Sequence, residues 1–160
     1  MLRPGLGEQI MAYPTPILIE ALRTTAAKLE VETTVYRWTH MGACNCGHLA
    51  QHLTKKSAAE LRRLSQGKAG EWADQAMEHC PTSNVPMDHV ISKLLETGLE
   101  PEDIGHLERL SDKRVIRRLP VAERHMDFRN RGDVVRYLRA WANLLEEQLD
   151  LQAAELPRVA

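Results

Sequence analysis

Apolar residues recur every three or four positions along most of this chain, which is the spacing of amphipathic helices. The longest such stripe runs through Val134, Leu138, Trp141 and Leu145 to Leu149. It predicts a helix from residue 133 to about residue 152. A second clear stripe covers residues 87–95 and predicts a helix between the proline and the glycine that flank it.

Start and stop signals divide the rest of the chain into further short helices. Thr15 is a suitable cap before Pro16, and Ser57 with Glu60 three residues later forms a capping-box pattern. The predicted helices cover residues 16–29, 48–54, 58–66, 71–79, 86–97, 101–110, 112–119 and 133–152. We therefore predict an all-α protein, an irregular or orthogonal bundle of about seven or eight helices.

The segments outside these helices complete the predicted organisation. Residues 31–38 alternate partly between apolar and polar and are rich in β-branched side chains, which fits a short strand, an extended arm or a continuation of the first helix. A lone strand has no evident partner, which favours helices elsewhere. We expect one helical domain over residues 1–160, with an irregular N-terminal arm over 1–13 and a frayed tail over 155–160.

Composition narrows the class of protein without naming a function. The chain has 160 residues, of which 43% are hydrophobic and only 4% aromatic, so we expect an aliphatic core. No apolar run is long enough for a membrane span, and the first ten residues lack the core of a secretory signal. The odd cysteine count fits a reducing compartment, and we expect a cytoplasmic protein.

Charge is unevenly distributed although the net charge is only −1. Residues 71–108 hold nine acids and one base, and residues 113–139 hold nine bases and three acids. Such blocks either pack near each other or form two solvated faces, and one of them could bind a protein partner. The absence of aromatic residues interleaved with the basic ones argues against a nucleic acid partner, although a basic all-α domain could still contact DNA. The near-zero net charge gives no general attraction to nucleic acid or membranes, and we expect no membrane partner. The oligomeric state cannot be inferred from the sequence.

The most distinctive stretch is residues 40–52, which holds two of the three cysteines and three of the seven histidines. Cys44, Cys46, His48 and His52 follow the pattern Cys-x-Cys-x-His-x3-His. Thiolate sulfur and imidazole nitrogen are the ligands that zinc prefers. The two histidines are one helical turn apart, and both cysteines would lie near a helix N-terminus that favours a thiolate. This pattern predicts a metal site.

Four ligands within nine residues surround an ion poorly, so a distant ligand is expected. Cys80 is the best candidate because it follows the helix of Trp72 and Ala76 and is predicted to point to the same apolar side. The predicted ligands are therefore Cys44, Cys46, His48, His52 and Cys80. Zinc is the first candidate, and iron or an iron–sulfur cluster is the second, in a structural or regulatory role.

Two alternatives remain open at this point. Cys44 or Cys46 could serve a thiol-dependent enzyme or a redox sensor, since a cysteine at a helix N-terminus near a histidine is a common nucleophile arrangement. The chain could also be a purely structural or interaction protein without a metal, because free cysteine is among the most buried residue types. The sequence does not decide whether this protein is an enzyme.

Overall fold

The computed structural model of the protein describes residues 12–66 and 71–156. Within these ranges the backbone forms eight α-helices, one short 3₁₀ helix and no strand, which confirms the predicted all-α fold. The α-helices are α1 (Pro16–Glu30), α2 (Asn45–Thr54), α3 (Ala58–Ser65), α4 (Trp72–Met77), α5 (Pro86–Glu96), α6 (Pro101–Arg109), α7 (Lys113–Ile116) and α8 (Arg131–Glu155). The 3₁₀ helix, Val121–Glu123, lies before α8.

The helices begin where local chemistry satisfies their first backbone N–H groups. The Thr15 hydroxyl accepts a hydrogen bond from the Leu18 amide at 3.1 Å, and the Ser57 hydroxyl accepts one from the Glu60 amide at 3.1 Å. Asn130 caps α8 in the same way, two to three residues before the predicted start of that helix. The stripes and caps therefore locate most helix starts to within a few residues.

An antiparallel pair, α1 and α8, forms the most extensive helix contact. The ion pair of Arg23 with Glu146 lies towards one end of the contact, and that of Glu30 with Arg139 lies towards the other, which fixes the antiparallel direction. α2 contacts α1, α3, α5 and α6, while α4 packs on α6. The segment that carries the cysteines and histidines therefore enters the centre of the bundle.

Residues 31–44 form turns and irregular backbone between α1 and α2, so the possible strand at 31–38 and the possible continuation of the first helix are both wrong. This connection is tied to the segment around the start of α8. The Tyr36 hydroxyl donates to the Phe128 carbonyl at 2.6 Å, and the Arg131 guanidinium donates to the Thr34 carbonyl at 2.9 Å. Trp38 stacks on Phe128 with ring centroids 4.5 Å apart.

Some expectations fall on residues outside the described ranges. These are most of the predicted arm over 1–13, the residues 67–70 between the predicted helices 58–66 and 71–79, and the tail beyond residue 156. In the parts of the chain that are described, no helix combines the length and apolar character needed to cross a membrane.

Candidate functional site

The two neighbouring cysteines lie at the start of α2 and are both buried. Cys44 is the residue before the helix, and its sulfur accepts a hydrogen bond from the Gly47 amide at 3.3 Å. The Cys46 thiol, only 1% exposed, donates to the Ile104 carbonyl on α6 at 3.5 Å. One sulfur therefore caps its own helix, and the other packs against a neighbouring helix.

Burial makes both thiols poor nucleophiles. It raises the pKa of Cys44 to about 11, and it raises the pKa of Cys46 well above the ordinary 9.0. The carboxyl of Glu108 adds to this effect at both sulfurs. The expected thiolate at a helix N-terminus is therefore absent at neutral pH, because loss of solvation outweighs the helix-end N–H groups. This removes the main support for a thiol-dependent enzyme or redox sensor at these cysteines.

The two histidines of α2 have separate partners. His48 is 4% exposed, and its Nε2 lies 2.7 Å from the Val35 carbonyl, so this nitrogen carries the proton and donates. Burial lowers the pKa of His48 and keeps the ring neutral. The Nε2 atom of His52 lies 3.2 Å from the Glu20 carboxylate on α1. One nitrogen of each imidazole ring is therefore hydrogen-bonded to another part of the protein.

Cys80 is exposed, contrary to its predicted position on an apolar face. It lies in the loop between α4 and α5, with its sulfur 3.5 Å from the Thr82 hydroxyl. That side-chain hydrogen bond lowers the pKa of Cys80. The helical periodicity used for the prediction ends at Met77, where α4 stops, so it does not apply three residues later.

The predicted metal-binding function is wrong. Across residues 12–66 and 71–156, no group of three or more His, Cys, Asp or Glu side chains is arranged to hold a metal ion. The five predicted ligands have separate structural roles instead. Cys44 caps a helix, Cys46 is a core residue, His48 is a buried donor, His52 forms a hydrogen bond with Glu20, and Cys80 is an exposed loop thiol. Four of these residues are close in sequence, but the side chains of all five contact different neighbours.

The segment has a structural role that centres on Asn45, which is fully buried. Its Nδ2 donates to the carbonyls of Leu107 at 2.7 Å and Glu108 at 3.2 Å, near the end of α6. The indole of Trp38 donates to the Glu108 carbonyl at 3.3 Å. The Glu108 carbonyl, which the helix end leaves without a backbone donor, is satisfied by these two side chains, and the Leu107 carbonyl gains a donor besides the Leu110 amide. The start of α2 is thereby joined to the end of α6.

Two glycines allow the close packing that this junction requires. A Cβ at Gly42 would lie 2.0 Å from the Ala58 carbonyl oxygen, and a Cβ at Gly47 would lie 2.5 Å from the Met41 carbonyl oxygen. Neither position has room for a larger residue. The Cys–His segment is therefore a packing element between α2, α3 and α6.

A buried carboxyl, Glu108, lies beside this junction and was not recognised from the sequence. One of its oxygens accepts a hydrogen bond from the Ala73 amide on α4 at 3.2 Å. Burial, and then the hydrogen-bonded carboxyl of Glu71, raise the pKa of Glu108 to about 7. Asp103, near the start of α6, is buried as well, and burial raises the pKa of its carboxyl to about 7. Both groups change charge near neutral pH.

A groove of about 350 Å³ lies between α8 and the segment that follows α7. Leu119, Ala140 and Leu144 lie almost buried among its lining residues, and Asn143 lies among them on α8. Three arginines, Arg118, Arg136 and Arg139, also line it together with the carboxylate of Glu147, and we call it the arginine groove. Its residues come from the basic block and the half of α8 that follows it.

The three arginines are held by ion pairs at the surface. Arg118 pairs with Glu147 at 2.6 Å, Arg139 pairs with Glu30 at 2.5 Å, and Arg136 pairs with Asp133. Each arginine side chain keeps 44–48% of its surface exposed. The pairs of Arg118 and Arg139 are exposed on both sides, whereas Asp133 is largely buried. Exposed ion pairs contribute only about 0–1 kcal/mol, so a carboxylate from another molecule can replace Glu147 or Glu30 at little cost.

Comparison with protein-family models, with curated proteins and with solved structures found no match for this chain.

Proposed function

We propose that this protein is an interaction module that binds an acidic segment of a protein partner in the arginine groove. The observation that carries the proposal is the set of three half-exposed arginines around the apolar surface of Leu119 and Leu144. The groove combines cationic groups with a nonpolar floor, and both are typical of sites that recognise protein segments.

Arginine suits this role better than lysine would. Its planar guanidinium binds a carboxylate through two parallel hydrogen bonds, and it is enriched at protein interfaces. A segment with an apolar side chain between carboxylates would place the apolar group against the floor of the arginine groove. Its carboxylates would then meet Arg118 and Arg139. The internal partners, Glu147 and Glu30, would be released to solvent.

The groove alone is small compared with a stable protein interface, which buries about 1,200–2,000 Å² in total. The surrounding basic block adds exposed cations, among them Arg117 and Arg124. These contribute long-range attraction more than contact area. We therefore expect binding that is weak, fast and strongly dependent on salt.

The test uses a fluorescein-labelled synthetic peptide in which two leucines are flanked by glutamate and aspartate. A matched peptide carries glutamine and asparagine instead. Fluorescence anisotropy should show binding of the acidic peptide to the full chain, weakened roughly tenfold or more between about 50 mM and 300 mM salt. The neutral peptide should not bind.

Variants locate the binding to the groove. Arg118→Gln with Arg139→Gln should weaken binding of the acidic peptide by roughly tenfold or more, since two charge-assisted contacts are lost. The control variant Arg62→Gln removes an exposed arginine on α3 and should bind like the wild type. Equal binding of both peptides, or unchanged binding by the groove variant, would contradict the proposal.

A further inference from the structure

One exposed face of α4 carries two carboxylates and an apolar side chain, which are the groups that the arginine groove is proposed to bind. Asp74, Met77 and Glu78 lie three and four residues apart, so they share one side of the helix and its last turn. Met77 is 64% exposed, and both carboxylates are exposed without an ion pair to any other described residue. Trp72 and Ala76 are buried on the other side of this helix. We call Asp74, Met77 and Glu78 the α4 face.

The α4 face and the arginine groove are complementary in charge and in polarity. The groove presents guanidinium groups around an apolar floor, and the α4 face presents a flexible apolar side chain between two carboxylates. Methionine adapts its shape to irregular apolar surfaces. We propose that the acidic partner of the arginine groove is a second copy of this chain, which docks through its α4 face. This inference rests on the function proposed above, because it uses the same groove.

The charge distribution of the chain favours a second copy as the partner. The groove arginines pair internally with Glu147, Asp133 and Glu30, and none of these belongs to the acidic block at 71–108. That block keeps an excess of eight acids over bases, since nine acids stand against one base, and the block at 113–139 has nine bases against three acids. Within one molecule, the groove arginines therefore form no ion pair with the acidic block at 71–108.

The two patches are different surfaces, which determines the kind of assembly. Docking of one α4 face into one arginine groove leaves a groove on one copy and an α4 face on the other. Two copies that dock reciprocally form a closed dimer, and copies that dock in succession form longer chains. Either form requires both patches, so disruption of either one should abolish association.

The first experiment is sedimentation velocity of the full chain up to about 200 µM, where weak complexes of micromolar affinity are populated. We expect association that increases with concentration at about 50 mM salt and is reversed at about 500 mM. Arg118→Glu with Arg139→Glu should give monomers, and Asp74→Lys with Glu78→Lys should also give monomers. An equimolar mixture of the two charge-reversed variants should associate again, because the unaltered α4 face of the groove variant meets the unaltered groove of the α4 variant, and the acidic altered groove meets the basic altered α4 face.

A matched control separates this contact from general charge effects. Glu60→Lys with Glu155→Lys changes the net charge by the same amount as the α4 variant, at exposed positions on α3 and at the end of α8. This variant should associate like the wild type. Folding of every variant is checked by its thermal unfolding transition.

A cross-linking experiment tests the orientation of the two copies. Cys80 is exposed in the loop after α4, whereas the other two cysteines are buried. Asn143→Cys adds a thiol to the groove lining. A short bismaleimide should then give a covalent dimer that is absent in the wild type and absent in Asn143→Cys with Cys80→Ser.

The outcomes distinguish this inference from the function on which it rests. Wild-type chains that stay monomeric at the highest concentration and low salt would overturn the second-copy proposal, while binding of the acidic peptide would leave the proposed function standing. Association that survives both charge reversals would overturn the second-copy proposal as well. If the folded wild-type protein neither binds the acidic peptide nor self-associates, both the proposed function and the second-copy proposal are overturned.

Discussion

Truncation of Asn45 is the most informative perturbation of the junction between α2 and α6. Asn45→Ala removes two hydrogen bonds from Nδ2 to the carbonyls of Leu107 and Glu108, at 2.7 and 3.2 Å. It also removes the bond that the Cys46 amide donates to the Asn45 side-chain oxygen at 2.9 Å. All three bonds lie in the buried interior, where an unpaired polar group is not rescued by water.

The expected loss of stability follows from these contacts. The two bonds to carbonyls contribute about 1 kcal/mol each, and the buried Cys46 amide left without its partner costs a further ~1–3 kcal/mol. Both carbonyls keep a second donor, the amide of Leu110 and the indole of Trp38, which limits the loss. Asn45→Ala should therefore lower the free energy of unfolding by about 3–5 kcal/mol, a large part of the ~5–15 kcal/mol typical of a domain.

Urea unfolding followed by far-ultraviolet circular dichroism measures this loss, with the slope against denaturant checked for two-state behaviour. Asn84→Ala, at an exposed loop position, is the matched control and should stay within about 0.5 kcal/mol of the wild type. A loss of less than about 1 kcal/mol for Asn45→Ala would refute the structural role assigned to the segment.

Three further predictions concern thiols, pH and glycines. Under native conditions a maleimide should label one thiol per chain within minutes, at Cys80, while the two buried thiols react only after unfolding; fast labelling of two or three would contradict their burial. Since the pKa of Glu108 is raised from 4.5 to about 7, its contribution to stability is full below pH 4.5 and is lost as pH rises through 7. Thermal unfolding at several pH values should therefore show a fall in stability between pH 5 and 8 that Glu108→Gln reduces; identical pH profiles for the two proteins would be inconsistent with this. Gly42→Ala should destabilise strongly, because its Cβ would meet a backbone oxygen at 2.0 Å, whereas Gly105→Ala meets only ordinary contact at 3.4 Å and should be neutral or stabilising by about 0.5–1 kcal/mol. A higher melting temperature for Gly42→Ala than for Gly105→Ala would contradict the close contact described at Gly42.

Helices were predictable because their signals are local. A cap such as Thr15 or Ser57 acts within three residues, and an apolar stripe is a property of one element. The outcome for the cysteines and histidines depended on tertiary contacts that spacing does not encode. Cys46 points to α6 and His48 to the connection before α2, so two residues with ligand chemistry, close in sequence, have different partners.

The arginine groove was visible in the sequence only as a basic block. Arg118 and Arg139 are 21 positions apart in sequence. The apolar floor between them forms only because α8 packs beside the segment that follows α7. Glu108 was likewise counted as one of nine acids, and its burial follows from the packing of α4 on α6. Charge composition therefore identified the basic residues that line the groove and the acidic segment that contains Glu108, but it gave neither the shape of the groove nor the burial of Glu108.

The most direct test of the central claim maps the binding of the acidic peptide onto the chain by amide chemical shifts. Two-dimensional ¹⁵N–¹H spectra of the full chain would be recorded during a titration with the acidic peptide and with its neutral counterpart. We predict shifts that saturate with the acidic peptide alone and cluster at Arg118, Leu119, Ala140 and Leu144. Shifts confined to other helices, or the same shifts with the neutral peptide, would contradict the claim that the arginine groove is an acidic-segment binding site.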